Sequence, residues 1–341
     1  MKVIYSDAHK DHDPQQFIVR GRVKRSNEQP ERAFKLLDAA QRGGHTIVAP
    51  DDFGAAPRAA VHTPQYLTFL ETAWTRWQAL EDASEEVMPN VYPFPGQPCT
   101  YPDSVVGQAG LHMGDNACSI GQHTWQAATA SANVATHAAQ LTLDGERVAY
   151  ALCRPPGHHA YADRANGFCY LNNAAIAAQH LRQRHARVAI LDIDVHHGNG
   201  TQGVFWRRND VLTISIHGDT RFCTPFFVGH AHERGEGDGL GYNINLPMPV
   251  GAKEDAYLHT LASALTSIRQ FAPGALVVAM GLDAHERDPY KALAVTTEGF
   301  SHILEAIARL DLPTVLVQEG GYLSDDLGPN LASALTGFER A

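Results

Sequence analysis

The sequence lacks an apolar run long enough to cross a bilayer, which takes roughly 20 residues, and its cysteines lack the spacing of a metal or redox motif. It has five cysteines in 341 residues, an odd number, and no two are separated by the two residues typical of zinc ribbons and thioredoxin-like sites. The amino-terminal apolar run is also too short for a signal peptide. We therefore expect a cytoplasmic protein with no membrane partner.

Positive charge is scarce as well. The 37 acidic residues outnumber the 27 Lys and Arg residues, for a net charge of −10, whereas surfaces that bind nucleic acids are basic. Nucleic acid is therefore not an expected partner. Hydrophobic residues make up 44% of the chain and charged residues 19%, as in an ordinary globular protein. Because repeats, low-complexity tracts and Ser/Gly-rich linkers are absent, we expect a single domain over residues 1–341.

Short β-branched runs alternate with amphipathic segments through the second half of the chain. The runs are almost continuously hydrophobic, as buried parallel strands are, and the segments have helical spacing. The predicted strands are 148–152, 188–195, 211–217, 275–282 and 314–318, and the predicted helices are 125–141, 171–184, 255–271, 297–310 and 327–338. This alternation predicts an α/β fold with a mostly parallel sheet and helices on both faces.

One segment, about 81–123, breaks the alternation. It contains five prolines, several acidic and aromatic residues, and no clear periodicity. A long irregular insertion in a compact domain is usually functional or forms an interaction surface. An insertion without a role is the alternative that the residues themselves leave open.

Polar side chains accumulate at the ends of four predicted strands, which is where ligands of open α/β sheets bind. Each cluster alone has an ordinary structural explanation, such as a surface histidine pair, a helix cap or a loop turn. Their joint placement favours one shared active site. The residues are His158 and His159 after the first strand, Asp192, Asp194, His196 and Asn199 at the end of the second, Asp283 after the fourth, and Tyr322 in a flexible Gly-Gly-Tyr turn after the fifth.

These residue types indicate a metal-binding site. Alternation along an extended segment sends Asp192, Asp194 and His196 to one side. Asp194, His196 and Asp283 then provide two carboxylates and one imidazole, which suits a catalytic site with open positions for water and substrate. Because no thiolate is among the donors, Zn²⁺ and Fe²⁺ are both compatible with the set.

The remaining residues fit acid–base chemistry around that metal. His158 and His159 are candidates for the general base and acid, with Asp192 and Asn199 as the partners that set their tautomers. Tyr322 is a candidate donor to the oxyanion of a tetrahedral intermediate. The sequence therefore predicts a metal-dependent hydrolase.

These motifs together resemble the histone deacetylase superfamily, and most closely the bacterial acetylpolyamine amidohydrolases. The resemblance rests on Arg-Pro-Pro-Gly-His-His-Ala at 154–160, Asp-Ile-Asp-Val-His-His-Gly-Asn-Gly-Thr-Gln at 192–202, the Asp283 segment and the Gly-Gly-Tyr turn, and it extends over nearly the whole chain. It implies the arginase–deacetylase fold, with a sheet of about eight strands. It also implies catalytic Zn²⁺ on Asp194, His196 and Asp283, and hydrolysis of acetyl amides.

The resemblance further implies a substrate tunnel and bound monovalent cations. Gly167, Phe168 and Phe227 match positions that line the narrow tunnel for the substrate's methylene chain. A structural K⁺ would use Asp192, Asp194, His196, Ser215 and Ile216, and a second, more peripheral cation would lie at Phe205, Arg208, Val211 and Tyr242. Each of these roles is an expectation from the resemblance alone.

Three features refine this resemblance. The 81–123 segment resembles the insertion that builds a homodimer and narrows the active-site mouth in acetylpolyamine enzymes. Val106 and Ala117 stand where acidic residues would receive the distal ammonium of a polyamine, and Asn199 stands where the nuclear deacetylases have aspartate. We expect a homodimer that deacetylates small acetylated amines, with the identity of the amine left open.

Other functions stay open on the same residues. Acetyl-lysine peptides or other acyl amides are the main alternative substrates. An arginase-like ureohydrolase with two Mn²⁺ ions would need a further carboxylate, and 197–199 offers His-Gly-Asn there instead. A non-catalytic binding module is disfavoured because the expected catalytic and ligand residues are all present.

Overall fold

An eight-stranded sheet runs through the computed structural model, which describes residues 1–94, 96 and 98–341. In sheet order its strands are β4-β1-β5-β10-β9-β6-β7-β8, and all seven pairings are parallel. A separate hairpin pairs β2 with β3. The strands are β1 (Lys2–Ile4), β2 (Phe17–Val19), β3 (Arg22–Lys24), β4 (Thr46–Val48), β5 (Val148–Ala151), β6 (Val188–Asp192), β7 (Val211–Gly218), β8 (Asn243–Met248), β9 (Ala275–Met280) and β10 (Thr314–Gln318).

Helices cover both faces of this sheet, as the alternating pattern predicts. Two short 3₁₀ turns, Asp7–His9 and Gly237–Gly239, complete the regular structure. The helices are α1 (Glu31–Arg42), α2 (Ala56–Ala59), α3 (Pro64–Gln78), α4 (Val105–His112), α5 (Thr124–Leu143), α6 (Asn173–Leu181), α7 (Asn199–Phe205), α8 (Glu254–Phe271), α9 (Thr297–Ala308) and α10 (Leu327–Glu339). In the part of the chain that the structure describes, none of these helices is long and apolar enough to cross a membrane.

The two faces of the sheet form two hydrophobic cores. Alternation along β6 shows the division, because Val188 and Ile190 belong to one core and Ala189 and Leu191 to the other. Helices α1, α8, α9 and α10 pack on the Leu191 face, and α3, α5 and α6 pack on the Ile190 face. The predicted α/β class with a parallel sheet of eight strands is therefore confirmed.

Several predicted boundaries were one to three residues wrong. The strand predicted at 188–195 ends at Asp192, although Ile193 and Val195 still point into the core, as the alternation requires. The helix predicted at 171–184 begins at Asn173, because the Asn172 side chain accepts a hydrogen bond from the Ala175 N–H and caps it.

The 81–123 segment is more ordered than its sequence indicates. It contains α4, which the Ser104 side chain caps, and an isolated bridge pairs Val87 with Ile120 near its two ends. The prediction of an irregular loop is therefore wrong over Val105–His112, because the Ser104 cap starts a helix that the periodicity did not reveal. Between these features Phe94 is 82% exposed. Pro95, one of the five prolines, lies outside the described residues, as does Gln97.

Candidate active site and metal centre

The four polar clusters converge because the strands that precede them are neighbours. In the sheet order, β5, β10, β9 and β6 are consecutive, although they come from distant parts of the chain. All four are parallel, so their carboxyl ends lie at one edge of the sheet. The clusters predicted from the sequence therefore share a single crevice.

Asp194, His196 and Asp283 form a buried cluster suited to a metal ion. One donor atom from each lies within 4.8 Å of the others, and His196 Nδ1 is 3.2 Å from Asp194 Oδ1 and 3.3 Å from Asp283 Oδ2. Both carboxylates are fully buried, and Asp283 Oδ2 has no hydrogen-bond partner among the described residues. Burying a carboxylate costs several kcal/mol unless it is paired or bound to metal.

The electrostatics of this cluster also fit a cation. Burial, together with the charge of Asp194, raises the pKa of Asp283. Burial would raise the pKa of Asp194 too, but His158 and His196 outweigh it and hold that pKa below its ordinary value. The residues present therefore fit a divalent ion bound by two carboxylates and one imidazole.

Backbone groups hold the carboxylates in place. The Val195 N–H donates to Asp283 Oδ1 at 3.0 Å, and the Gly320 N–H donates to Asp194 Oδ2 at 2.7 Å. A Cβ atom at Gly320 would lie only 2.1 Å from Asp283 Oδ2 and 2.5 Å from Asp194 Oδ2. Glycine is required here because any side chain would collide with both proposed ligands.

His158 lies beside this cluster with a carboxylate partner. Its Nδ1 is 2.9 Å from Asp192 Oδ2, and its Nε2 is 3.7 Å from Asp194 Oδ1. Burial lowers the pKa of His158, but Asp194 and Asp192 outweigh it and raise the pKa to about 10. The structure thus brings His158 and Asp192 together as predicted.

His159 ends a hydrogen-bond chain whose direction is fixed. Asp115 Oδ2 accepts from Asn166 Nδ2 at 2.9 Å, Asn166 Oδ1 accepts from Asn199 Nδ2 at 3.1 Å, and Asn199 Oδ1 lies 2.5 Å from His159 Nδ1. A carboxylate accepts only, so each amide must donate toward Asp115. His159 then carries its proton on Nδ1 and has a free lone pair on Nε2.

The charge state of His159 agrees with that tautomer. Burial, with the neighbouring charges of His158 and His196, lowers the pKa of His159 well below its ordinary value. The two adjacent rings, whose centroids are 4.0 Å apart, therefore have pKa values shifted in opposite directions. Such divergence is typical of acid–base pairs.

Tyr322 is buried against the site rather than carried on a mobile turn. Arg32 donates to the carbonyl of Gly321 at 2.6 Å and to that of Glu319 at 2.7 Å, and its guanidinium lies 4.7 Å from the centre of the Tyr322 ring. Asp288 Oδ2 accepts the Tyr322 N–H at 2.9 Å. The expectation of a flexible Gly-Gly-Tyr turn is therefore wrong, because residues remote in sequence clamp the turn.

Comparison with known proteins matches this architecture. A family model described as the histone deacetylase domain matches residues 22–338. The chain belongs to the histone deacetylase family. It is therefore a hydrolase of the deacetylase family, and the expected resemblance to acetylpolyamine amidohydrolases is confirmed by the relatives described next.

Individual relatives match nearly its whole length. An acetylpolyamine amidohydrolase of Burkholderia pseudomallei is 51% identical over 328 residues, covering 96% of this chain and 95% of the relative. One of Mycoplana ramosa is 38% identical and covers 99% of both chains. The crystal structure of the acetylpolyamine aminohydrolase from Burkholderia pseudomallei superposes with a TM-score of 0.96 at 49% identity, covering 99% of this chain and 98% of that one.

The residues that the family resemblance assigns to the tunnel have different surroundings. Phe168 is buried and packs against Phe17 and Tyr322, with ring centroids 5.7 and 5.9 Å away. Phe227 is 89% exposed, so the structure does not bring it into this aromatic cluster. A Cβ atom at Gly167 would lie 2.4 Å from the His159 ring, so this glycine makes room for His159, and its N–H donates to Asp115.

Tyr290 is a site residue that the sequence did not reveal. Its ring centroid lies 4.9 Å from that of His196 and 4.8 Å from that of Tyr322. Asp288 Oδ1 accepts the Tyr290 N–H at 2.9 Å, so one carboxylate positions both tyrosines. The only signal was its place shortly after Asp283, since nothing in the local pattern distinguishes it from a loop aromatic residue.

Only some of the residues expected to bind monovalent cations are neighbours in the structure. Asp192 and Ser215 are paired across β6 and β7, and both line a cavity of about 10 Å³, the scale of a single small ion or water. At the second, more peripheral cation site, Arg208 lies over the Phe205 ring and forms an ion pair with Asp210 at 2.7 Å. Val211 and Tyr242 lie on or beside the adjoining strands. Both cation sites stay predictions.

Proposed function

We propose that this chain hydrolyses the acetyl amide of small acetylated amines, such as acetylpolyamines or acetyldiamines, with a divalent metal ion on Asp194, His196 and Asp283. The observation that carries the proposal is the buried three-donor cluster, flanked by two histidines of which one has a carboxylate partner and the other an amide partner. The names of the full-length relatives support the substrate class. Zn²⁺ is the metal we propose, and Fe²⁺ suits the same donors.

The protein groups have separate roles in this mechanism. A bound divalent ion would act as a Lewis acid on the substrate carbonyl and would lower the pKa of a water molecule. His159 would accept a proton from the attacking water at Nε2, since its Nδ1 donates to Asn199. The Tyr322 hydroxyl would donate to the oxyanion. The His158–His159 pair would then return a proton to the amine nitrogen as the C–N bond breaks.

Substrate access and assembly complete the proposal. The rings of Phe17, Phe168, Tyr290 and Tyr322 would form apolar walls for a methylene chain. The 81–123 segment would narrow the mouth and form a homodimer, which its exposed Tyr92 and Phe94 support. A structural K⁺ near Asp192 and Ser215 and a cytoplasmic location belong to the same proposal.

A binuclear Mn²⁺ ureohydrolase has less support. Among the described residues, the one other buried group with metal-ligand spacing is His158, Cys169 and Glu319. Glu319 Oε2 already accepts the N–H groups of Gly157 and His158 at 2.6 and 3.0 Å. That group includes a thiol and a single carboxylate, one oxygen of which is already engaged by backbone N–H groups, so it is poorly suited to a second Mn²⁺.

A kinetic panel on enzyme of defined metal content tests the proposed substrate class. We expect kcat/KM for acetylputrescine, acetylcadaverine and acetylspermidine to exceed that for acetyl-lysine peptides by about tenfold or more, since a narrow tunnel excludes bulky chains at a cost of 1–2 kcal/mol. Activity should vanish on chelation and return with one Zn²⁺ or Fe²⁺ per chain. Equal rates on peptides and small amines would support the acetyl-lysine alternative instead.

The hydrogen-bond chain to His159 gives a second test. We expect Asn166→Ala to lower kcat by about 10- to 100-fold, because Asn199 could then turn its amide and lose the fixed His159 tautomer. The matched control is Asn116→Ala, next to Asp115 but outside the hydrogen-bond chain, where the Asn116 side chain accepts from the Tyr92 hydroxyl. Steady-state kinetics and metal content would be measured on both variants. A decrease in kcat of similar size in both variants would rule out a specific role for the hydrogen-bond chain.

A further inference from the structure

The histidine turn, residues 154–159, offers few backbone donors. Pro155 and Pro156 have no N–H, so the N–H groups of Gly157 and His158 are the first that follow them in this turn. Both donate to one atom, Oε2 of Glu319, at 2.6 and 3.0 Å, and they have no other acceptor among the described residues. Successive N–H groups that converge in this way form a concave anion-binding site, or nest. The Glu319 carboxylate occupies the nest of this turn.

The backbone around Glu319 is fixed by other parts of the site. Glu319 follows β10, which pairs with β5, the strand before the histidine turn. Its carbonyl accepts from Arg32 at 2.7 Å, and the N–H of the next residue, Gly320, donates to Asp194 Oδ2 at 2.7 Å. Tyr322 follows two residues later. Glu319 therefore connects the histidine turn to the segment that contacts a proposed metal ligand and carries the proposed oxyanion donor.

Burying a carboxylate at this position is costly. Glu319 is fully buried, and its Oε1 has no hydrogen-bond partner among the described residues. Burial raises the pKa of Glu319 to about 7, although His158 and the two N–H groups oppose the rise. A buried carboxyl group with one unsatisfied oxygen destabilises a folded protein unless other interactions compensate. Because residues that break a local rule of stability concentrate at functional sites, this cost favours a role for Glu319 in the active site.

We propose that Glu319 is a positioning residue for the acid–base pair. Through the two N–H groups it holds the histidine turn where the rings of His158 and His159 reach their partners, Asp192 and Asn199. It acts through these rings and not on the substrate. A displacement of a reacting group by about 1 Å costs about 100-fold in rate, so the turn needs a fixed acceptor. This role rests on the catalytic function proposed above, because the acid–base pair belongs to that function.

Two conservative variants separate the position of the acceptor from its charge. Glu319→Gln keeps an oxygen that can accept both N–H groups, so we expect kcat on acetylputrescine to fall by about fivefold or less. Glu319→Asp keeps the charge but is one methylene shorter, so its carboxylate no longer reaches the N–H groups and kcat should fall by about 30- to 100-fold. In both variants KM should stay within about threefold of the wild type, with metal content unchanged.

Hydrogen–deuterium exchange measures the histidine turn without turnover. In peptides that cover residues 154–160 of the metal-loaded protein, we expect Glu319→Asp to speed exchange at the two N–H groups by about tenfold or more, and Glu319→Gln to retain most of the protection. The failure of this role and the failure of the proposed function are thereby distinguishable. If the wild type hydrolyses no acetylated amine, the proposed function is wrong, and exchange still decides whether Glu319 holds the turn.

Glu86→Asp is the matched control. Glu86 is also a buried carboxylate, 6% exposed; its Oε1 accepts the Gln15 N–H at 2.8 Å, and its Oε2 has no hydrogen-bond partner among the described residues. Shortening it should lower the free energy of unfolding, but kcat should stay within about threefold of the wild type and exchange in residues 154–160 should not change. The proposal is overturned if Glu319→Asp matches Glu86→Asp in kcat and in exchange, or if Glu319→Gln loses as much activity as Glu319→Asp.

Discussion

Tyr322→Phe is expected to lower kcat on acetylated amines by about 100- to 1,000-fold, the usual effect of removing one oxyanion donor. Its KM and metal content should stay close to those of the wild type. The Tyr322 hydroxyl makes no hydrogen bond to another described group, and the ring contacts with Arg32, Tyr290 and Phe168 are retained by phenylalanine. Loss of the hydroxyl should therefore affect the reaction and leave the folded structure intact.

Tyr290→Phe is the matched control. It removes a hydroxyl from the neighbouring ring, whose partner is Asn27 Nδ2 at 3.3 Å. That bond is long, so we expect its loss to change kcat by about threefold or less. The comparison requires steady-state kinetics and metal analysis on both variants. Unchanged turnover in Tyr322→Phe would contradict the mechanism as proposed.

Much of the fold and the principal chemistry could be predicted because each motif is local in sequence. Asp194 and His196 lie two residues apart, so strand alternation alone places them on one side, and a strand end exposes them to the crevice. Likewise the runs around Ile190 and Val278 are hydrophobic enough to predict buried parallel strands. Local pattern therefore identified the elements and the residue types of the site.

The sequence could not give contacts that depend on strand order. The neighbouring positions of β5, β10, β9 and β6 arise from crossovers, and periodicity does not encode them. Asp288, which positions Tyr290 and Tyr322, lies in a loop without a distinctive pattern. The same holds for Asp115, whose partner Asn166 is 51 residues away. Such residues act through tertiary proximity, which a single sequence does not display.

Glu28 shows most clearly what proximity adds, and its removal should have the largest effect on stability. It is 1% exposed, its Oε1 accepts from Arg32 at 2.7 Å and from Arg154 at 2.9 Å, and its Oε2 pairs with Arg154 at 2.9 Å. One carboxylate thus pairs with two buried guanidinium groups. We expect Glu28→Gln to lower the free energy of unfolding by about 3–5 kcal/mol, as uncompensated buried charge does.

Urea unfolding at equilibrium is the measurement, with Asp13→Asn as the control. Asp13 also pairs with an arginine, Arg25 at 2.9 Å, but both side chains are more than a third exposed, so its loss should cost about 1 kcal/mol or less. If Glu28→Gln lowered the free energy of unfolding by no more than Asp13→Asn does, backbone carbonyls alone would be sufficient hydrogen-bond partners for the two guanidinium groups.

The stability of the Glu28 cluster is also tied to the geometry of the active site. Arg154 donates to the carbonyls of His9 and His12 at 2.7 and 2.6 Å and begins the turn that carries His158 and His159. Arg32 clamps the turn that carries Tyr322. Glu28→Gln should therefore lower kcat even in protein that is still folded, while Asp13→Asn should not. The proposed catalytic residues follow strand ends, but the buried ion cluster of Glu28, Arg32 and Arg154 holds the turns that carry them.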